Sequence, residues 1–168
     1  MKVLVSHEEI VEISKRIGKE ITEKFDGKEL IVVCVLKGAC PFHAELIKHI
    51  NLTMEVDYIQ VKSYSGRETS GTIEIKKDLD TDIAGKHVVV VEDIVDTGLT
   101  LNRLKSELEK RNPASLSFAT LLNKPSRRKV DFNPDFIGKT IENLFVYGFG
   151  LDLDEKCRNL KDIYYVEK

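Results

Sequence analysis

The chain is expected to fold as an α/β domain, with a mostly parallel central sheet flanked by helices. Three observations predict it. Strand-like apolar runs alternate with helical periodicities along the chain, the pattern of a sheet covered on both sides. The runs LIVVCVL at 30–36 and VVVV at 88–91 have no polar face, as strands buried on both faces require. No internal repeat, low-complexity run or linker interrupts the 168 residues, a length that suits a single domain spanning 1–168 with a proper core.

The elements follow in order. Ser6 and Glu9 form an S-x-x-E capping box, and Ile10, Ile13, Ile17 and Ile21 recur at helical spacing, so residues 7–25 are expected to be an amphipathic helix. The DGKE turn leads into a strand at 30–36. KGAC follows, and Pro41 suits the first turn of a helix over about 41–50. Residues 54–62, MEVDYIQVK, read as a strand. SYSGRETSG at 63–71 is rich in turn formers and is expected to be a mobile loop, part of a lid. TIEIKK alternates and resumes as a strand. After Gly85 comes a strand at 87–92. Leu101, Leu104 and Leu108 then mark one face of a helix that stops at Asn112-Pro113. SLSFATLL at 115–122 is another buried strand, and shorter strands are expected around 135–137, 145–149 and 163–166.

Composition narrows the function. The 26 basic and 28 acidic residues give a net charge of −2, which argues against a dedicated nucleic-acid binder. The longest apolar run is far short of the roughly 18 residues that span a bilayer, and MKVLVSHEEI has no signal-peptide pattern. A cytoplasmic protein without membrane contact is expected. Cys34, Cys40 and Cys157 have no C-x-x-C spacing and read as reduced, small buried residues. His7, His43, His49 and His87 have no zinc-ligand spacing.

The stretch HVVVVEDIVDTGLT, 87–100, carries the chemistry. Ligands of such sheets bind outside the carboxyl ends of the strands, and there stand Glu92 and Asp93, followed by Asp96, Thr97, Gly98 and Thr100. A P-loop nucleotidase would need G-x-x-x-x-G-K-[ST] upstream. The only GKT is Gly138-Lys139-Thr140, downstream, with Asn133 in place of the first glycine. A phosphate-receiver domain would place its acid pair after the first strand, and here the pair lies in mid-chain. Two acids at a strand end would by themselves be idle surface charge. The turn beside them changes that. Backbone N–H groups opening a helix form an anion cradle, and Gly98 allows close approach. A turn that attracts phosphate next to acids that repel it makes sense if the acids hold sugar hydroxyls or a metal. A ribose 5-phosphate would satisfy both halves.

VVVVEDIVDTGLT resembles the phosphoribosyl pyrophosphate (PRPP) signature of the type I phosphoribosyltransferases. LKGA at 36–39 resembles the pyrophosphate loop of the 6-oxopurine branch, and VKSYSG at 61–66 its flexible loop. LLNKPSRR at 121–128 and FVYGFGLDLDEKCRNL at 145–160 are similar to its purine-binding segments. The resemblance runs from about 31 to 160 and implies a type I phosphoribosyltransferase fold. That fold has a small hood, built from the N-terminal region and the segment from about 123, and a flexible active-site loop.

It implies transfer of the phosphoribosyl group from PRPP to N9 of hypoxanthine or guanine, giving IMP or GMP and pyrophosphate, with Mg²⁺ and a homodimer or homotetramer. By the same resemblance Glu92 and Asp93 hold ribose hydroxyls and, with Asp152, the metal side. Asp96 is the acid/base group at purine N7. Thr97, Gly98, Leu99 and Thr100 hold the 5′-phosphate. Lys37, Gly38 and Arg158 meet pyrophosphate, with a cis peptide before Lys37. Lys124 points at the purine 6-oxygen, Phe145 stacks on the base, and the Val146 backbone reads its edge. Ser63 and Tyr64 close over the site, and Arg128 gives indirect support. Two residues depart from the pattern: Tyr147 stands where a small aliphatic residue is usual, and Cys157 where an aromatic is. A PRPP-fold regulator that binds RNA and an enzyme preferring xanthine are the alternative readings.

Overall fold

The computed structural model describes residues 1–63 and 72–167. Its elements run β1 (Lys2–Val5), α1 (His7–Lys24), β2 (Leu30–Leu36), α2 (Cys40–Ile47), β3 (Met54–Ser63), β4 (Ile73–Lys77) and β5 (His87–Val95). They continue with α3 (Leu99–Glu109), β6 (Ser115–Asn123), β7 (Phe136–Thr140), β8 (Phe145–Tyr147) and β9 (Ile163–Val166), and a 3-10 turn covers Pro125–Arg127. One sheet has the order β4-β3-β2-β5-β6-β7, and the other the order β1-β9-β8. In the large sheet β3, β2, β5, β6 and β7 are parallel, and β4 alone is antiparallel. The expected α/β class with a mostly parallel sheet is the observed one.

The valine run shows why such a strand forms. Val89 and Val91 enter the core beneath α1 and α2, whereas Val88 and Val90 enter the core beneath α3. All four are fully buried. At roughly 1.5–3 kcal/mol for each fully buried side chain of this size, polar substitution on either face is costly. Helix α1 buries Ile10, Ile13, Ile17 and Ile21 as its periodicity predicts. Its capping box is only half made: Ser6 Oγ accepts from the Glu9 N–H at 3.2 Å. The Glu9 carboxylate instead meets Lys139 Nζ at 2.7 Å and ties α1 to β7.

The differences from expectation are local. Strand β1 was not predicted; it is four residues long and pairs with β9 from the far end of the chain. Strand β5 continues three residues past Glu92, because β6 goes on pairing with it as far as Val95↔Asn123. Helix α2 ends at Ile47, three residues early, and β8 ends at Tyr147, where Gly148 takes a positive φ of 101°. Of the cysteines only Cys34 is buried; Cys40 is exposed at the start of α2 and Cys157 is half-buried. Among the described residues no helix is long and apolar enough to cross a membrane.

Candidate active site

Strand register assembles the site. Leu30, His87 and Ser115 start β2, β5 and β6 level with one another. Cys34 pairs with Val91, so two residues further on the turn after Leu36 arrives beside Asp93. On the other side Val95 pairs with Asn123, and the Lys124 N–H donates to the Val95 carbonyl at 2.9 Å, so Lys124 stands beside Asp96. Residues far apart in sequence thus meet at the carboxyl edge of the sheet, where ligands of open α/β sheets bind.

Glu92 and Asp93 are half-buried within β5, not beyond its end. Asp93 N–H donates to Glu92 Oε1 at 2.9 Å, and Ile94 N–H donates to Asp93 Oδ1 at 2.6 Å. Burial, and then the charge of Asp93, push the Glu92 carboxyl well above the usual range. Burial raises Asp93 as well, against opposing hydrogen bonds and the nearby positive charge of Arg158. Two such carboxylates gain from an arriving cation or from sugar hydroxyl donors.

The peptide Leu36–Lys37 is cis, as the resemblance implies. Gly38 then lies so close to the acids that a Cβ there would sit 2.0 Å from Asp93 Oδ2. From the opposite side Gly150, at φ +96°, brings its backbone against the Gly38 carbonyl, 2.0 Å from where its own Cβ would be. Lys37 projects outward and its Nζ meets Glu155 Oε2 at 3.3 Å.

The turn Asp96–Thr100 opens α3 with Gly98 as its N-cap, at φ +79°. That left-handed conformation favours glycine. Thr97, Gly98 and Thr100, with Glu92, Ile94 and Asp96, line a cleft of about 210 Å³. Leu99 is half-buried at the first turn of α3. A larger cavity, about 590 Å³, lies at the opposite, amino-terminal edge of the strands beside Lys28, Glu55, Lys86 and His87. It contains none of the acids of 92–96, so size alone does not locate the chemistry.

Asp96 is held by Arg127, whose Nε donates to its carboxylate at 3.0 Å. Lys124 is 7% exposed, and burial lowers its pKa; Asp96 opposes that shift and Arg127 adds to it. Arg128 is half-buried. Its Nη1 donates to the Val95 and Asp96 carbonyls at 3.2 and 2.6 Å, and its Nη2 to Asn123 Oδ1. It fixes the backbone from which Asp96 projects. Neither Arg127 nor Asn123 was singled out in the sequence, because each acts through another side chain, Arg127 through Asp96 and Asn123 through Arg128.

Phe145 opens β8 with half its surface exposed, and Val146 is buried and paired with Tyr165. Tyr147, one of the two departures from the family pattern, is buried and stacks on Tyr164, with ring centroids 5.7 Å apart. Arg158 Nη1 donates to the Gly150 carbonyl at 2.7 Å, and its Nη2 lies 3.6 Å from Asp152. Asp152 also accepts the Glu155 N–H at 3.0 Å. The expected metal set of Glu92, Asp93 and Asp152 does not close on one centre: among the described residues no three acidic, histidine or cysteine side chains could hold a metal ion. Asp152 is engaged by Arg158 and the Glu155 backbone instead. Ser63 ends β3, exposed and paired with Ile73, whereas Tyr64 and the rest of the expected loop lie outside the described residues.

The comparisons with known proteins agree with one another. The phosphoribosyl transferase domain model matches residues 2–154. The hypoxanthine-guanine phosphoribosyltransferase of Streptococcus pneumoniae is 49% identical over 160 residues, 95% of this chain and 89% of that protein. Its counterpart from Bacillus subtilis is 44% identical over the same coverage. The crystal structure of a hypoxanthine-guanine phosphoribosyltransferase from Bacillus anthracis, with a HEPES molecule in its active site, superposes with a TM-score of 0.96 at 43% identity, covering 99% of both chains. By sequence and by fold, the chain belongs to the phosphoribosyltransferase family, in its hypoxanthine-guanine branch.

Proposed function

We propose that the enzyme transfers the 5-phosphoribosyl group of PRPP to N9 of hypoxanthine or guanine, releasing pyrophosphate. The observation that carries this reading is the convergence of Lys37–Gly38, Glu92–Asp93, Asp96–Thr100 and Lys124 on one edge of the sheet. In such a transfer, charge develops on an oxocarbenium-like ribose and a departing pyrophosphate, so catalysis rests on positioning and electrostatics.

The ribose hydroxyls donate to Glu92 and Asp93, and the 5′-phosphate sits on the turn Thr97–Thr100 at the start of α3. Asp96 exchanges a proton with purine N7, help worth typically 10²–10⁴-fold. Lys124 donates to the 6-oxygen of the base. Adenine carries an amino donor there, so donor faces donor, and a site built on such a bond rejects the wrong partner by on the order of 10⁴-fold. Phe145 stacks on the base, and the sheet β1-β9-β8 serves as the hood that carries it. Lys37 and Arg158 receive the pyrophosphate.

The residues fit magnesium. Glu92 and Asp93 offer hard carboxylate oxygens whose crowding a cation relieves, and magnesium typically takes one or two protein carboxylates and completes its shell with substrate phosphates and water. Bound there, it would neutralise charge on the leaving group.

An ultraviolet assay of the purified protein with PRPP and Mg²⁺, offering hypoxanthine, guanine, xanthine and adenine separately, tests the reading. Rapid conversion of hypoxanthine or guanine with adenine untouched is expected. Turnover of adenine at a comparable rate would overturn the Lys124 argument. No turnover with any base would overturn the enzymatic reading.

A further inference from the structure

Lys37 and Arg158 are not free in this structure. Between them lies one carboxylate, that of Glu155, whose Oε2 is 3.3 Å from Lys37 Nζ and whose Oε1 is 3.3 Å from Arg158 Nη2. Lys37 is 118 residues away from Glu155 in sequence, so the contact is tertiary and joins the β2 turn to the segment after β8. The hydrogen bonds from Lys37 and then Arg158 hold the Glu155 carboxyl below its usual range.

The turn that presents Glu155 is tight. Leu153 and Lys156 exchange backbone hydrogen bonds of 2.9 and 3.0 Å, and the two residues between them, Asp154 and Glu155, have φ of +49° and +64°. Two positive-φ positions closed in this way are those of a two-residue I′-type hairpin, which favours Asn-Gly. Glycine would sit at 155 without strain, yet the position holds a long carboxylate that reaches both cations.

We propose that Glu155 is an internal counter-anion of the pyrophosphate subsite: it occupies the two cations when no ligand is present and yields them when a phosphoanion arrives. The proposal rests on the assignment of Lys37 and Arg158 to pyrophosphate. Its energetics favour exchange. The Lys37 and Glu155 side chains are 61% and 68% exposed, and ion pairs of that kind are individually weak and screened by salt; Arg158, 26% exposed, keeps Asp152 at 3.6 Å when Glu155 leaves. A ligand carrying several charges displaces a single carboxylate readily, and the carboxylate swings into solvent. After reaction Glu155 competes for the same cations and speeds pyrophosphate departure, a step of the type that often limits turnover.

Calorimetric titration of the protein with inorganic pyrophosphate in magnesium buffer decides the matter. Glu155→Gln is expected to bind pyrophosphate about three- to tenfold more tightly than the parent. The gap should narrow as salt is added, and KM for PRPP should fall without a rise in kcat. Asp154→Asn removes the same charge one residue away and is expected to leave affinity within twofold. Equal tightening in both variants would reduce Glu155 to a diffuse field effect and overturn the proposal. Unchanged or weaker binding in Glu155→Gln alone would overturn it as well. If the parent binds no pyrophosphate, the subsite assignment fails first, and the proposal falls with it.

Discussion

A Cβ on Gly38 would stand 2.0 Å from an Asp93 carboxylate oxygen, well inside van der Waals contact, and Gly150 closes the other side against the Gly38 carbonyl. At residue scale this is a tight constraint on the site, since the Asp93 carboxylate is itself held by the Ile94 N–H at 2.6 Å. Alanine at 38 must move the β2 turn, Asp93 or both. Overpacking of this kind costs typically 1–3 kcal/mol. A displacement near 1 Å of a catalytic group can cost about 10²-fold in rate. Gly38→Ala is therefore expected to keep the fold, with a modestly lower melting temperature, and to lose on the order of 10²-fold in kcat/KM for PRPP. Steady-state kinetics beside a thermal melt would check this, and activity within threefold of the parent would show that the close approach is dispensable.

Strand β5 illustrates at element scale what a sequence reveals. Its valines announced a strand buried on both faces, and both faces are buried. The strand's end was misplaced because it depends on the partners: β2 stops at Leu36, whereas β6 keeps pairing with β5 to Asn123. Strand β1 escaped notice for the same reason, since four residues with a partner more than 150 positions away leave no local pattern. At the site, Lys37, Glu92, Asp93, Asp96 and Lys124 were legible through strand ends and motif likeness. Glu155 and Arg127 were not, because their significance arises only from contacts 118 and 31 residues away. Arg128, expected from the resemblance to give indirect support, joins the end of β5 to the end of β6 through Val95, Asp96 and Asn123. Leaving buried acceptors without a donor costs about 1–3 kcal/mol. Arg128→Ala is accordingly expected to lower unfolding free energy by about that amount in a denaturant titration. Arg128→Lys should recover little of it, since one ammonium cannot span acceptors that a planar fork reaches together. Full recovery by lysine would show that charge, not the fork, holds the two strand ends.

Stability of the whole molecule should carry a proton signature to which His43 contributes one part, opposite in sign to that of the raised carboxyls Glu92 and Asp93. This residue of α2 is 2% exposed, with Nε2 3.2 Å from the Val32 carbonyl and its ring against Tyr58 at 5.7 Å. Burial lowers its pKa from the ordinary 6.5, while the bond to Val32 opposes that shift only in part. The native state therefore keeps the imidazole neutral where the unfolded chain would already take up a proton. Below the unfolded pKa this group binds more protons in the unfolded state, so its own contribution to unfolding free energy falls as pH drops from about 6.5 toward the folded value. One such group contributes a slope of at most about 1.4 kcal/mol per pH unit within that window and nothing above it. Glutamine at 43 can still donate to the Val32 carbonyl but does not titrate. His43→Gln is thus expected to fall less steeply than the parent between pH 7 and 5, with the two curves offset by a constant above pH 7. Denaturant titrations across that range would measure both curves. Identical slopes would mean that His43 gains its proton without unfolding, and that the core around α2 admits a charge this packing should refuse.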